Sequence, residues 1–155
     1  MTYYFRYAAY VLRHKLEVFK WCWRFGIPWR GIWHDCSKFS PAEFGPHARY
    51  FYGPPEKRNI ASLDAAFLRH IHRNKHHFNY WMLIDHEGYV LCADMPLRYR
   101  KEMLADWLAK GASQGQDAID WYERHSATIG LHPDTRAWLE TQLEFWSRRN
   151  GSATH

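Results

Sequence analysis

The chain holds little that points to a membrane, a disulfide scaffold or a reader of nucleic acid. No uninterrupted apolar run approaches the ~20 residues that span a bilayer. The stretch Met1-Thr2-Tyr3-Tyr4-Phe5-Arg6 lacks a basic start with a cleavage site, so a cytoplasmic setting with no membrane partner is expected. Cysteine is sparse: Cys22, Cys36 and Cys92 are odd in number, widely spaced and without a CxxC pair, which argues against a disulfide framework or a zinc finger. Basic runs, a helix-turn-helix signature and an RNP-like aromatic pattern are also missing, so no specific nucleic acid is expected as a partner. The formal charge of +5 and the pI of about 9.2 nevertheless favour an anionic ligand such as a phosphorylated small molecule. With neither internal repeats nor an interdomain linker, the 155 residues read as one domain over 1–150 and a flexible tail over 151–155.

What the chain has in quantity is aromatic: 18% of it, including nine Trp, so large rigid side chains should dominate the core and some should stay exposed. Its patterning is helical. Tyr3 to Phe25 has no internal Gly or Pro, and Ala8, Val11, Leu12, Leu16, Phe19 and Trp23 recur at helical spacing before Gly26 and Pro28 stop it. A short helix from Trp29 to Asp35 is expected next. Ser40-Pro41-Ala42-Glu43 then combines an N-cap serine, a first-turn proline and a glutamate at the third helical position, a capping box that starts a helix running to about Tyr52. After the exposed loop 53–59, a helix should run from Ser62 into His70, with a bend allowed at Asn74-Lys75. Trp81 to Cys92 fits either a helix end or a small β-hairpin around Glu87-Gly88. Helices from Pro96 to Lys110 (ended by Gly111), from Gln114 to His125 and from Pro133 to Arg149 complete an all-α bundle with room for one hairpin.

The chemistry lies in two segments. The first is His34-Asp35-Cys36-Ser37-Lys38; the second is the histidine-rich run from His70 to His77. Adjacent His and Asp side chains reach one metal only where the helix carrying them is broken. His14 stands upstream on the first helix and Asp106 far downstream, one turn after Glu102 on the same helix face. Imidazole nitrogens mixed with carboxylate oxygens suit one or two divalent transition-metal ions (Mn, Fe, Co, Ni or Zn) and not an all-oxygen cage. On a continuous helix, positions 70, 74 and 77 share one face, and 72 and 76 share another. His70 and His77 are therefore expected inward, His76 only if the backbone bends, and His72 in solvent. Ser37, Ser40 and Glu43 fit a capping role as well as a functional one.

The order His14, His34-Asp35, histidine cluster, Asp106 resembles the HD-domain superfamily of metal-dependent phosphohydrolases. Within it, His34-Asp35-Cys36-Ser37-Lys38 is similar to the His-Asp-x-Gly-Lys segment of cyclic-dinucleotide phosphodiesterases, with serine for glycine. The later histidines are closer together here and the Gly-Tyr-Pro segment of that subgroup is absent, so its substrate specificity does not carry over. The one-metal nucleotidases of the superfamily usually have an acidic residue where Lys38 stands. The chain also looks like an uncharacterised bacterial and phage family sharing the His-Asp-x-Ser-Lys-Phe-Ser-Pro-x-Glu-Phe pattern.

The resemblance implies an HD-like helical fold and hydrolysis of a phosphorylated small molecule, a nucleotide above all. It implies metal ligation by His14, His34, Asp35, His70, His76 or His77, and Asp106. Asp35 would bridge two ions and Lys38 would act on the phosphate; Arg30, Arg73 and Asn74 are the candidate substrate contacts. The competing expectation is a metal-stabilised nucleotide-binding or interaction protein without turnover.

Overall fold

Every third or fourth residue of the first helix, α1 (Thr2–Arg24), turns into the protein: Tyr7, Val11, His14, Val18 and Cys22 are buried. Hydropathy picks a different stripe. Of the apolar residues at helical spacing, Val11 lies on the buried face, but Leu12, Leu16 and Trp23 are 53%, 63% and 66% exposed. The true stripe runs through a polar residue, His14, and that is why an apolar count misses it. A computed structural model describes the backbone of residues 2–151 and the side chains of residues 2–146.

The chain is an all-α bundle with one small antiparallel hairpin. After α1 come α2 (Pro28–Trp33), a 3-10 turn (Cys36–Phe39), α3 (Pro41–Tyr52) and α4 (Ile60–Arg73). The hairpin β1 (Met82–Ile84) and β2 (Val90–Cys92) pairs Met82 with Cys92, Leu83 with Leu91 and Ile84 with Val90, which settles the choice left open over 81–92. Its turn is held by Asp85, whose Oδ1 accepts from the Glu87 and Tyr89 amides, and by Gly88 at φ +90°. Then follow α5 (Leu97–Gln114), α6 (Ala118–His125) and α7 (Pro133–Gly151).

Several boundaries differ from expectation, α4 among them with its start at Ile60 and not Ser62, and two differ for reasons that the structure shows directly. Gly111 does not stop α5. It is buried within the helix, where a Cβ would lie 2.6 Å from the Gln116 carbonyl oxygen, and the stop is Gly115 at φ +64°. Helix α6 starts at Ala118, not Gln114, because the Asp117 side chain accepts from the Ile119 amide as its cap. Gly151 closes α7, and residues 152–155 of the expected tail lie outside the described residues.

Helix α1 packs against α2, α3 and α5, while α3 packs on α4, and α6 on both α5 and α7. Gly31 makes the first of these contacts close, since a Cβ there would lie 2.9 Å from both Cys22 Cβ and Phe19 Cα. Three apolar clusters result. The largest joins Met95, Met103, Leu104 and Leu108 of the α5 region to Tyr122, Leu139 and Leu143 of α6 and α7. A second sets Val18 and Cys22 of α1 against the small Ala105 and Ala109 of α5, and a third joins Tyr7 and Val11 to Ala48 of α3. Burial of each large aliphatic side chain contributes ~1.5–3 kcal/mol. His14 stands on α1 between the second and third clusters. The bundle thus encloses a polar layer between apolar ones. Among the described residues no helix is long and apolar enough to cross a membrane.

Candidate metal centre

The His34-Asp35 pair sits on a corner. Helix α2 ends at Trp33, one residue before the pair and not after it: His34 takes φ −52°, ψ 128°, and Asp35 takes the left-handed region at φ 53°, ψ 21°. Asp35 is the one non-glycine with positive φ among the described residues. The change of backbone basin between the two residues lets both side chains meet at one place, which a continuous helix forbids. Lys15 of α1 holds the corner, its ammonium donating to the carbonyls of Ile32 (2.6 Å) and His34 (2.7 Å) at the C-terminus of α2.

Asp35 is the hub. Its Oδ2 lies 3.4 Å from His34 Nε2, and its Oδ1 lies 3.3 Å from His70 Nε2 and 3.5 Å from His76 Nε2. On the other side, His14 Nε2 lies 2.8 Å from Asp106 Oδ1, itself 3.9 Å from His34 Nε2. Helix α4 stops at Arg73 and Asn74 is extended (φ −117°, ψ 97°), so the chain bends and delivers His76 as well as His77. His76 is the more deeply buried of the two, and His72 is exposed. Two donor sets share Asp35: Asp35, His70, His76 and His77 in one, and His14, His34 and Asp35 in the other, with ligand atoms within 4.8 Å of one another in each.

The orientation of these rings is set from behind. Glu102 of α5 places Oε1 3.1 Å from His34 Nδ1 and 3.3 Å from His76 Nδ1, while Arg30 binds its other oxygen. Glu43 of α3 places Oε2 2.9 Å from His70 Nδ1 and also accepts from Ser37 Oγ at 2.8 Å. Ser37 in turn accepts from the Asn74 amide at 2.8 Å. A carboxylate at Nδ1 keeps the proton on that nitrogen and leaves Nε2 with a free lone pair. The Nε2 atoms of His34, His70, His76 and His77 are all buried without a hydrogen-bond partner, as is Asp35 Oδ1. Each such group costs ~1–3 kcal/mol if nothing binds it. This donor set fits a divalent transition metal.

The groups around the centre keep its carboxylates ionised. Burial opposes the charge of Asp35, but the His34 imidazole and the Lys38 ammonium outweigh it and hold the carboxyl well below its usual range. Burial likewise opposes Asp106 and Glu102; His14 overrides it at Asp106, and His34 and His76 override it at Glu102, so both stay ionised. Burial, reinforced by His76, drives His77 well below the usual histidine range, leaving it neutral and able to donate a lone pair.

The expected contacts with substrate divide. Lys38 reaches the centre, its ammonium 2.6 Å from Asp35 Oδ2; burial is overcome by Asp35 and Asp106, which raise its pKa above the ordinary lysine value. Arg30 is committed to Glu102 and lies over the Tyr99 ring at 4.3 Å. The Asn74 amide nitrogen donates to Ser37 and to the His70 carbonyl, which fixes the bend, and Asn74 also lines the cleft beside Arg73. Arg73 is largely exposed, 3.9 Å from Glu43. The expected capping box does not form: Ser40 precedes α3 but makes no side-chain cap, and Glu43 is drawn inward to His70. Glu102 and Lys15 were not among the sequence candidates for the site, and Glu43 was weighed only as a cap or an unspecified functional group. Of Glu102 and Lys15, only Glu102 carried a signal, its place one turn before Asp106.

Two clefts open onto the centre. One, of about 410 Å³, has Trp29, Arg30, Arg73, Lys75 and Tyr99 in its walls and meets the centre at His76 and Glu102. The other, of about 370 Å³, meets it at His77 and Asp106 and is walled largely by aromatic and apolar side chains. The chain matches a family described as a family of unknown function (DUF5662) over residues 3–145. No curated protein and no solved structure matches it.

Proposed function

We propose, for a chain that belongs to the DUF5662 family and so takes no assigned chemistry from it, that the protein is a metal-dependent phosphohydrolase of the HD type acting on a phosphorylated small molecule, most simply a nucleotide. One observation carries the reading: buried Nε2 atoms without partners surround a shared aspartate, while carboxylates behind them hold the Nδ1 protons. Those atoms stand in the order that resembles the HD superfamily. His14, His34, Asp35 and Asp106 would hold one ion, and Asp35, His70, His76 and His77 a second. What such ions supply is Lewis acidity toward a phosphoryl oxygen and a lowered pKa for water.

The remaining work falls to the chain. Asp35 offers one carboxylate oxygen toward each donor set and so fixes their spacing. Lys38 presents an ammonium beside Asp35, where charge on a phosphoryl group in displacement would gather. Glu102 and Glu43 keep the imidazoles aimed and in the ligating tautomer. Three free thiols, Cys22 among them with its pKa pushed up to about 12 by burial, agree with a reducing, cytoplasmic setting.

A second reading, a metal-stabilised nucleotide-binding or interaction protein without turnover, draws on the same Lys38: an ammonium paired with Asp35 competes with a cation for that carboxylate. Two measurements decide. Elemental analysis of the purified protein should find one or two equivalents of transition metal. A panel of phosphomonoesters and phosphodiesters, run with Mn, Fe, Co, Ni and Zn, should then give metal-dependent phosphate or nucleotide release. Bound metal with no release from any ester supports the second reading, and a folded, metal-free protein that takes up no ion ends both.

A further inference from the structure

The cleft at Asp106 and His77 differs from an ordinary surface groove in how its walls are made. Along α5, Asp106, Trp107, Lys110 and Gln114 line it on one side, so its floor runs ~12 Å from the centre to its far end at 1.5 Å per residue. Facing them is Trp121 of α6. Its indole is fixed by His125 stacked at 4.7 Å and 20° and by Trp107 set edge-on at 5.2 Å. Phe67 stands at the inner end, edge-on to His77 at 6.5 Å. Gly111, with no room for a side chain, lets the Gln116 carbonyl and Ala118 pass close against α5 where they line the cleft. Trp107 and Trp121 are both only partly buried, so ring surface remains for a ligand.

The volume and the lining narrow the ligand. About 370 Å³ lies at the small end of ligand pockets, enough for one ring system with its sugar and too little for a large cofactor. Lys110 is the one Lys or Arg in the lining, so the cleft does not select for several phosphates. Asn79, Gln114 and Gln116 bring amide donors and acceptors among the aromatic walls. A hydrocarbon tail would leave those amides unpaired, whereas a heteroaromatic ring offers a flat face to the indoles and polar edges to the amides.

We infer that this cleft is the binding pocket for a heteroaromatic ring of nucleobase size, carried by the substrate with its phosphoryl group at the Asp106 end and its ring toward Trp121. The direction of the ligand rests on the phosphohydrolase reading; the ring pocket itself does not. Fixed indoles supply contact area with little loss of freedom on binding, and ring stacking tolerates different bases. The basic cleft at Glu102 then has no part in ring recognition.

The test is calorimetric titration of the purified protein with adenosine and with ribose, neither of which carries a phosphoester. Adenosine should bind and ribose should not. Trp121→Ala should weaken adenosine at least tenfold; Gln114→Trp, placed at an exposed position so that the fold is retained, should block the cleft to the same extent. Where turnover exists, the advantage of adenosine monophosphate over ribose 5-phosphate in kcat/KM should fall about tenfold in both variants. Absence of adenosine binding, or binding unchanged in Gln114→Trp, overturns the pocket. Adenosine binding lost in the variants, in a protein that releases phosphate from no ester, keeps the pocket and removes the phosphohydrolase reading. Equal turnover of the two monophosphates without adenosine binding does the reverse.

Discussion

The two clefts meet the centre one helical turn apart on α5, at Glu102 and at Asp106, and their walls differ in kind. The cleft at Glu102 holds the cations that charge alone nominates for phosphate. Yet its Arg30 is spent on Glu102, and it meets the imidazoles on the side where their Nδ1 protons are already bonded. The cleft at Asp106 is nearly without cations, but it reaches a carboxylate that faces His14 and His34 and an imidazole whose Nε2 is free. On the proposed reading, the Asp106 cleft leads a ligand to donor residues, whereas the Glu102 cleft leads it to the carboxylate behind the rings. Surface charge is the weaker guide.

The largest expected effect removes what both clefts share. Asp35→Ala should reduce bound metal to near zero by elemental analysis and lower turnover roughly a thousandfold, the equivalent of ~4 kcal/mol. Full metal stoichiometry in that variant would dissolve the common centre and the comparison with it. Next, Lys38→Ala should keep metal content while slowing turnover by ~10²–10³, the scale for losing one preorganised donor. An unchanged kcat would leave Lys38 with only its ion pair to Asp35.

Smaller effects separate the clefts. Glu102→Ala, on the side of the basic cleft, should weaken metal affinity by ~10–100-fold in a chelator competition, because His34 and His76 lose their orienting carboxylate. Turnover at saturating metal should recover most of the way, and failure to recover would move Glu102 into the chemistry. Least of all, Arg73→Ala should change stability and KM by no more than about 0.5 kcal/mol, roughly a factor of two. A KM raised tenfold or more by that change would invert the comparison and make the basic cleft the entrance.

Much of the helical framework was legible because its signals are local: Gly26 and Pro28 mark the end of α1 and Pro41 opens α3, whereas the hairpin around Gly88 was only one of two readings that the residues allowed. Boundaries slipped where a tertiary contact overrode the local sign, as at Gly111, which reads as a stop but provides close passage of the 116 carbonyl. The gathering of His14, the His34-Asp35 pair, His70 and Asp106 followed the order of residue types. The supporting shell did not, since Glu43 looks like a cap and Glu102 like a surface acid until α3 and α5 carry them to the histidines. The aromatic cleft was the least legible part. Phe67, Trp107 and Trp121 lie on three helices, and no spacing in the chain announces that they meet.

Asp35 combines two requirements that are usually met by different residues. Its backbone sits in the left-handed region, which costs most L-residues ~1–2 kcal/mol and which Asp, Asn and Gly visit most readily. Its side chain must also be a short anion. Glycine satisfies the first demand and loses the second; glutamate keeps the charge but sits poorly on the corner and carries its oxygens one methylene too far; asparagine keeps corner and shape but not the charge. On the proposed reading, position 35 therefore serves as a diagnostic when other members of the family are read: Asp would mark a chain equipped for metal, and Asn or Gly one that preserves the corner without it.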